Sequence, residues 1–203
     1  MVKANVIYLR DFAINKRGTV DGKPYGGGVG MLLRIEPVYQ ALSGIHPDLY
    51  PKDSNNLAKI GKIAKKDISI IALDPSGKVF TQKKAQELSC KRNITFICGR
   101  YEGMDERIKT NLATEVISVG KYVLSGGELP ALTIMESITR LIPGVLEKEE
   151  ATKIESFAQG RKKEFPQYTK PRNFKGAKVP SVLLSGNHEK IKAWRNFNEL
   201  TNS

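Results

Sequence analysis

The chain has 203 residues, 40% hydrophobic and 27% charged, a balance that suits a folded soluble protein and excludes global disorder. No apolar run approaches the roughly 18 residues of a membrane span, and the N-terminal residues carry no signal-peptide pattern. Thirty-three Lys and Arg against 21 Asp and Glu leave a net charge of +12, which points to a polyanionic partner such as a nucleic acid.

Ala4 to Leu9 is β-branched enough for a strand, and residues 13–30 have loop chemistry ending in Pro24-Tyr25-Gly26-Gly27-Gly28-Val29-Gly30. Apolar residues recur at helical spacing from Leu32 to Leu42. Residues 43–67 are polar, with a short helix around Leu57–Ala64. Ile68 to Leu73 reads as a buried strand stopping at the turn Asp74-Pro75-Ser76-Gly77, and Thr81 to Leu88 as a helix. Ile94 to Cys98 is a second buried strand, Asp105 caps a short helix to Leu112, and Glu115 to Ser118 is a third strand. Leu129 to Ile142 is a helix with Pro130 in its first turn, where proline is tolerated. Near-continuous apolar strands alternating with helices predict an α/β fold with a parallel sheet covered on both faces.

Past Pro143-Gly144 the composition shifts. Residues 161–195 carry ten basic residues and only Glu164 and Glu189 as acids, with Phe165, Tyr168, Phe174 and Trp194 among them. Cations for phosphates with flat side chains between them compose a nucleic-acid surface. A helix is expected from His188 to Phe197.

Several signals carry little chemistry. Gly26 to Gly30 lacks the Gly-Lys-Ser/Thr of a phosphate-binding loop and the Rossmann spacing, and reads as a flexible connection. His46 reads as a solvated loop residue, and His188 as the opening of a helix. Cys90 and Cys98 fit neither a disulfide framework nor a common zinc spacing, so the expectation is a cytoplasmic, metal-free protein with Cys98 in the core. More informative are three glycine-rich segments at strand ends: Cys98 to Gly103, Val119 to Leu124, and Ser125 to Glu128. Open α/β sheets place ligands there, and glycine lets main-chain groups do the recognising. Arg100 and Glu102 sit just after a core strand, where capping explains Asp105 and Glu106 but not them.

Six motifs then occur in order: Pro24-Tyr25-Gly26-Gly27-Gly28; Cys98 to Arg107; Tyr122 to Pro130; Ile142 to Val145; Pro166 to Pro171; and Leu184 to His188. Together they resemble the bacterial tRNA (guanine-N1)-methyltransferase family of the SPOUT superfamily, over most of residues 10–197. The resemblance implies a parallel-sheet fold with a deep C-terminal trefoil knot, and a homodimer that methylates the guanine 3′ of the anticodon in tRNA. It implies an S-adenosylmethionine pocket made of Leu73, Pro75, Gly99, Val119, Gly120, Lys121, Tyr122, Val123, Leu124, Ser125, Gly126 and Gly127. It also implies Mg2+, for which no residue pattern identifies a site. The catalytic base of the family maps to Glu155, where an Asp is usual, and the cation that meets O6 maps to Arg140. Glu102 is expected to contact the target base or shape its pocket, with Arg100 steadying its loop.

The domains implied are a methyltransferase domain over 1–146, a linker over 147–166 and a small, mainly helical, basic tRNA-binding module over 167–203. Against the family, the chain lacks a first βα unit ahead of Val2, ends soon after Trp194, inserts residues 43–67, and has Lys121 where an acid is common. Those departures keep a non-catalytic tRNA-binding remnant open as an alternative. The retained Arg140, Glu155 and glycine-rich pocket favour the enzyme.

Overall fold

The computed structural model describes residues 2–52, 57, 67–147, 152, 155–157 and 163–201. It divides into two units, Met1–Val145 and Leu146–Ser203. The helix expected around 57–64 and much of the expected linker lie outside the described residues.

The first unit is built on a three-stranded parallel sheet of β3 (Ile68–Val79), β4 (Asn93–Cys98) and β5 (Glu115–Ser118), in the order β4-β3-β5. Side chains alternate across β3, so it builds two cores. Ile70 and Ala72 join Ile97 and the helix α1 (Ile35–Ile45) on one face. Ile71 and Leu73 join Leu88 of α2 (Gln82–Ser89) and Ile134 and Ile138 of α3 (Glu128–Thr139) on the other. Ile70 and Ile71 are fully buried, and each such side chain stabilises the fold by roughly 1.5–3 kcal/mol. Burial on both faces explains the near-continuous apolar reading of the strands.

Local chemistry sets the helix starts. Thr81 caps α2 by accepting the Lys84 amide at 3.3 Å. Glu128 favours the N-terminus of α3 by charge, and Pro130 sits in the first turn, where its missing N–H costs nothing. The short helix expected from Asp105 to Leu112 forms, opened by the Asp105 carboxylate accepting the Arg107 amide at 2.9 Å. Over Ile108–Leu112 it widens to a π-helical turn, with the Ala113 amide reaching back to the Ile108 carbonyl at 2.9 Å.

Several expectations are corrected. Residues 4–8 form no strand: Val6 is 96% exposed, so there is no burial to reward pairing. Leu32–Leu33 is strand β2, antiparallel to β1 (Asp21–Gly22), and α1 starts three residues later than the periodicity suggests. The Leu33 and Arg34 amides are already engaged, by Gly103 and Val20 carbonyls at 3.0 and 2.9 Å. Strand β3 does not stop at Leu73. Leu73 and Lys78 both align with Ile117, so Asp74–Gly77 is an excursion inside the strand. α3 ends at Thr139 and Leu141–Ile142 turn instead, ahead of a proline that disfavours helix in the residue before it.

The second unit holds a hairpin of β6 (Asn173–Phe174) and β7 (Ala177–Lys178), then α4 (Ser181–Leu184) and α5 (His188–Thr201). The hairpin, absent from the sequence reading, turns through Lys175 and Gly176 with φ of 50° and 94°, the left-handed pair favoured by two-residue turns. Asn187 opens α5 by accepting the Lys190 amide at 3.0 Å.

Candidate active site

The sheet register brings the three glycine-rich segments together. Leu73 aligns with Cys98 on one side and Ile117 on the other, so the strands reach their loops in one row. Because β4 and β5 flank β3 on opposite sides, this row is the point where strand order reverses, the place where open α/β sheets hold ligands.

The loops are laced to each other. The Gly127 amide donates to the Gly99 carbonyl at 2.8 Å, and Arg100 forms an antiparallel bridge with Gly126. A Cβ on Gly127 would lie 2.7 Å from Cys98 Cα and 3.0 Å from the Gly99 nitrogen, so only glycine allows this approach. Arg100 Nε donates to Glu128 Oε1 at 2.8 Å, pinning the loop after β4 to the start of α3. Partial burial works against the Glu128 charge, but the Arg100 hydrogen bond and a backbone contact outweigh it and hold the carboxyl below its ordinary range. Cys98 is pushed up to about 11 by burial and then by the Glu128 charge, so it is a neutral thiol of the wall and not a nucleophile.

Gly120 sits under the Tyr122 ring, and Ser118 Oγ both donates to the Gly120 carbonyl at 2.8 Å and accepts the Gly120 amide at 3.2 Å. Lys121, Tyr122, Val123, Leu124 and Ser125 continue the loop and are exposed. Leu73 is buried at the base of the row, and Pro75 is exposed in the β3 excursion.

A family profile described as tRNA (Guanine-1)-methyltransferase TrmD matches residues 1–203. The chain belongs to this family. Among its relatives, the tRNA (guanine-N(1)-)-methyltransferase of Staphylococcus carnosus (strain TM300) is 48% identical over 200 residues, spanning 98% of this chain and 74% of the relative. The protein of the same name from Staphylococcus aureus (strain MRSA252) is 49% identical over 199 residues, with the same shares.

A TrmD-family site must also hold a target base. Glu102 is exposed, and its side chain occupies the space beside Gly30, where a Cβ would come within 2.3 Å. Gly30 therefore has no room for a side chain, whereas Gly26 and Gly27 face open space and the loop is exposed along its length. The Glu102 amide donates to Met31 at 3.1 Å and the Asp105 amide to Leu33 at 2.9 Å, tying the two loops by backbone. Four positive-φ glycines in one short run were the signal for a specific shape.

Asp105 accepts the Arg107 amide at 2.9 Å and pairs with its guanidinium at 2.7 Å, which holds the Asp105 carboxyl below its ordinary range. Lys109, unnoticed in the sequence, lies between Glu106 at 2.7 Å and Asp74 at 3.5 Å and joins the β3 excursion to the turn after Glu102. The only sequence trace of it is the charge pair at Glu106 and Lys109, three residues apart.

Arg140 caps the C-terminus of α3 in the first unit, and Glu155 lies in the second. His46 is not a solvated loop residue: it caps α1, and its Nε2 is 2.9 Å from Thr95 Oγ1 of β4, a structural contact. Among the described residues, no group of three or more His, Cys, Asp or Glu is arranged to hold a metal ion, and no helix is long and apolar enough to cross a membrane.

Proposed function

We propose that this chain transfers a methyl group from S-adenosylmethionine to N1 of the guanine 3′ of the anticodon in tRNA. The observation that carries the reading is the Gly127 amide bound to the Gly99 carbonyl across the row of strand ends, in a chain of this family. The residues suit an adenosine: Leu73 supplies an apolar floor, and Gly99, Gly120, Gly126 and Gly127 put no side chain between the main chain and the base and ribose. Pro75, Val119, Lys121, Tyr122, Val123, Leu124 and Ser125 complete the proposed pocket, and the laced loops are our candidate for the trefoil knot. When bound, S-adenosylmethionine supplies an electrophilic methyl on its sulfonium.

The protein's part is proton and charge management. Guanine N1 is protonated at neutral pH, so Glu155 takes that proton as the methyl arrives. Arg140 donates to O6, where negative charge develops. Glu102 contacts the target base from a loop that Arg100 holds through Glu128, and alignment supplies the remaining advantage. Glu155 carries the same carboxylate as the family's aspartate on one more methylene of reach.

We assign residues 1–146 to catalysis, 147–166 to the linker and 167–203 to tRNA binding. Homodimerisation is supported by Leu129 and Leu132 of α3, which are 64% and 59% exposed, and by the exposed Val123 and Leu124 a few residues earlier in the chain. Calorimetry with S-adenosylmethionine tests the pocket. Saturable binding that survives Arg140→Ala, while that variant loses methyl transfer, is expected. Absence of binding by the wild-type chain would overturn the reading.

A further inference from the structure

The second unit carries a cleft of ≈ 210 Å³ to which the methyl-transfer reading gives no role. Its walls come from three places: Phe165, Gln167 and Tyr168 of the segment before the hairpin, Leu183 of α4, and Ile191 with Arg195 of α5. Ile191 and Arg195 are four residues apart and so share a helix face. The volume is below the roughly 300–1,000 Å³ of drug-sized or cofactor sites, which favours a ligand about as large as one flat ring system.

The chemistry of the walls narrows the ligand. The Arg195 guanidinium lies over the Phe165 ring at 4.8 Å, so a planar cation is held flat against one aromatic wall. Tyr168 leans on Trp194 with centroids 6.4 Å apart and planes at 56°. The Gln167 amide is anchored by the Glu164 carboxylate, and its carbonyl can accept from a base edge. Around the cleft, residues 163–201 carry eight Lys and Arg against three Glu. An apolar peptide would leave the polar edge unpaired, and a duplex backbone would need only the charges.

We propose that this cleft receives one unpaired nucleobase of an RNA ligand, stacked against Tyr168 and the Arg195 plane while nearby lysines meet its phosphates. Single-stranded RNA is recognised by such stacking on aromatic and guanidinium planes. The proposal rests on the RNA-binding part of the function above, not on methyl transfer.

Trp194 is the chain's one tryptophan, and it touches Tyr168, so its fluorescence reports on the cleft. The full chain is titrated with an unstructured oligoribonucleotide, with the same oligomer made abasic, and with a duplex of equal phosphate count. The base-bearing strand is expected to quench Trp194 saturably and to bind more tightly than the abasic one. Tyr168→Ala and Arg195→Lys are expected to weaken it roughly tenfold while duplex binding is unchanged, and Tyr168→Phe to restore it. If Tyr168→Ala unfolds, the exposed, charge-preserving Arg195→Lys decides. Equal binding of base-bearing and abasic strands, or equal losses on strand and duplex, overturns the cleft. A wild-type chain that methylates tRNA yet fails these titrations removes only the cleft; one that passes them without methylating removes only the catalytic reading.

Discussion

Gly127 and Gly99 meet backbone to backbone, 2.8 Å from amide to carbonyl, and the contact leaves no room for a Cβ on Gly127. It joins the end of β4 to the start of α3 and holds together the loops that follow β4 and precede α3. Gly127→Ala would place its methyl 2.7 Å from Cys98 Cα, and main chain cannot yield as a side chain can. We expect a loss of about 1–3 kcal/mol, the range for overpacking, measured by urea denaturation, with S-adenosylmethionine affinity falling further than stability alone explains. Unchanged stability and affinity would show that the lacing is incidental.

Glu155→Gln keeps shape and removes the base. Methyl transfer should fall by roughly 10²- to 10⁴-fold, with S-adenosylmethionine binding unchanged by calorimetry. Near-normal turnover would remove Glu155 from the mechanism, whereas Glu155→Asp should stay active.

The thiols should separate cleanly. Cys98 titrates at about 11 because it is buried beside Glu128, whereas Cys90 is exposed. Iodoacetamide at pH 8 should label Cys90 and spare Cys98, read by peptide mass spectrometry. Equal labelling would contradict the closed wall.

Acid should loosen the loop after β4. Asp105 is held below its ordinary range chiefly by the Arg107 hydrogen bond. A carboxylate depressed by folding stabilises the native state above its unfolded pKa, about 3.9, and loses that contribution as pH falls through the folded value. Asp105→Asn should therefore be less stable than wild type at pH 7, with the two curves converging below about pH 4. Parallel curves across that range would mean the ion pair contributes nothing.

The parts legible in the sequence are those governed by local pattern. Ile68 to Leu73 and Ile94 to Cys98 declare a buried parallel sheet by composition alone, and the ordered motifs point to the family. What escaped depends on contacts distant in sequence. Gly30 reads as one more loop glycine until Glu102 is seen against it, seventy-two residues away by number. His46 reads as solvated until Thr95 is seen beside it. β3 reads as ending at Leu73 because Asp74-Pro75-Ser76-Gly77 has turn chemistry, and a turn it is: Asp74 Oδ1 accepts the Ser76 amide at 2.9 Å. Only pairing with β5 carries the strand on to Val79.

The central claim is a methyl placed on one ring nitrogen of one nucleotide. The direct measurement incubates the full chain with labelled S-adenosylmethionine and unmodified tRNA bearing guanine 3′ of the anticodon, then identifies the product nucleoside by mass spectrometry. The account predicts 1-methylguanosine at that position and none when it is changed to adenosine. Absence of label in the guanine-bearing tRNA, or a methyl on another atom or nucleotide, would contradict it.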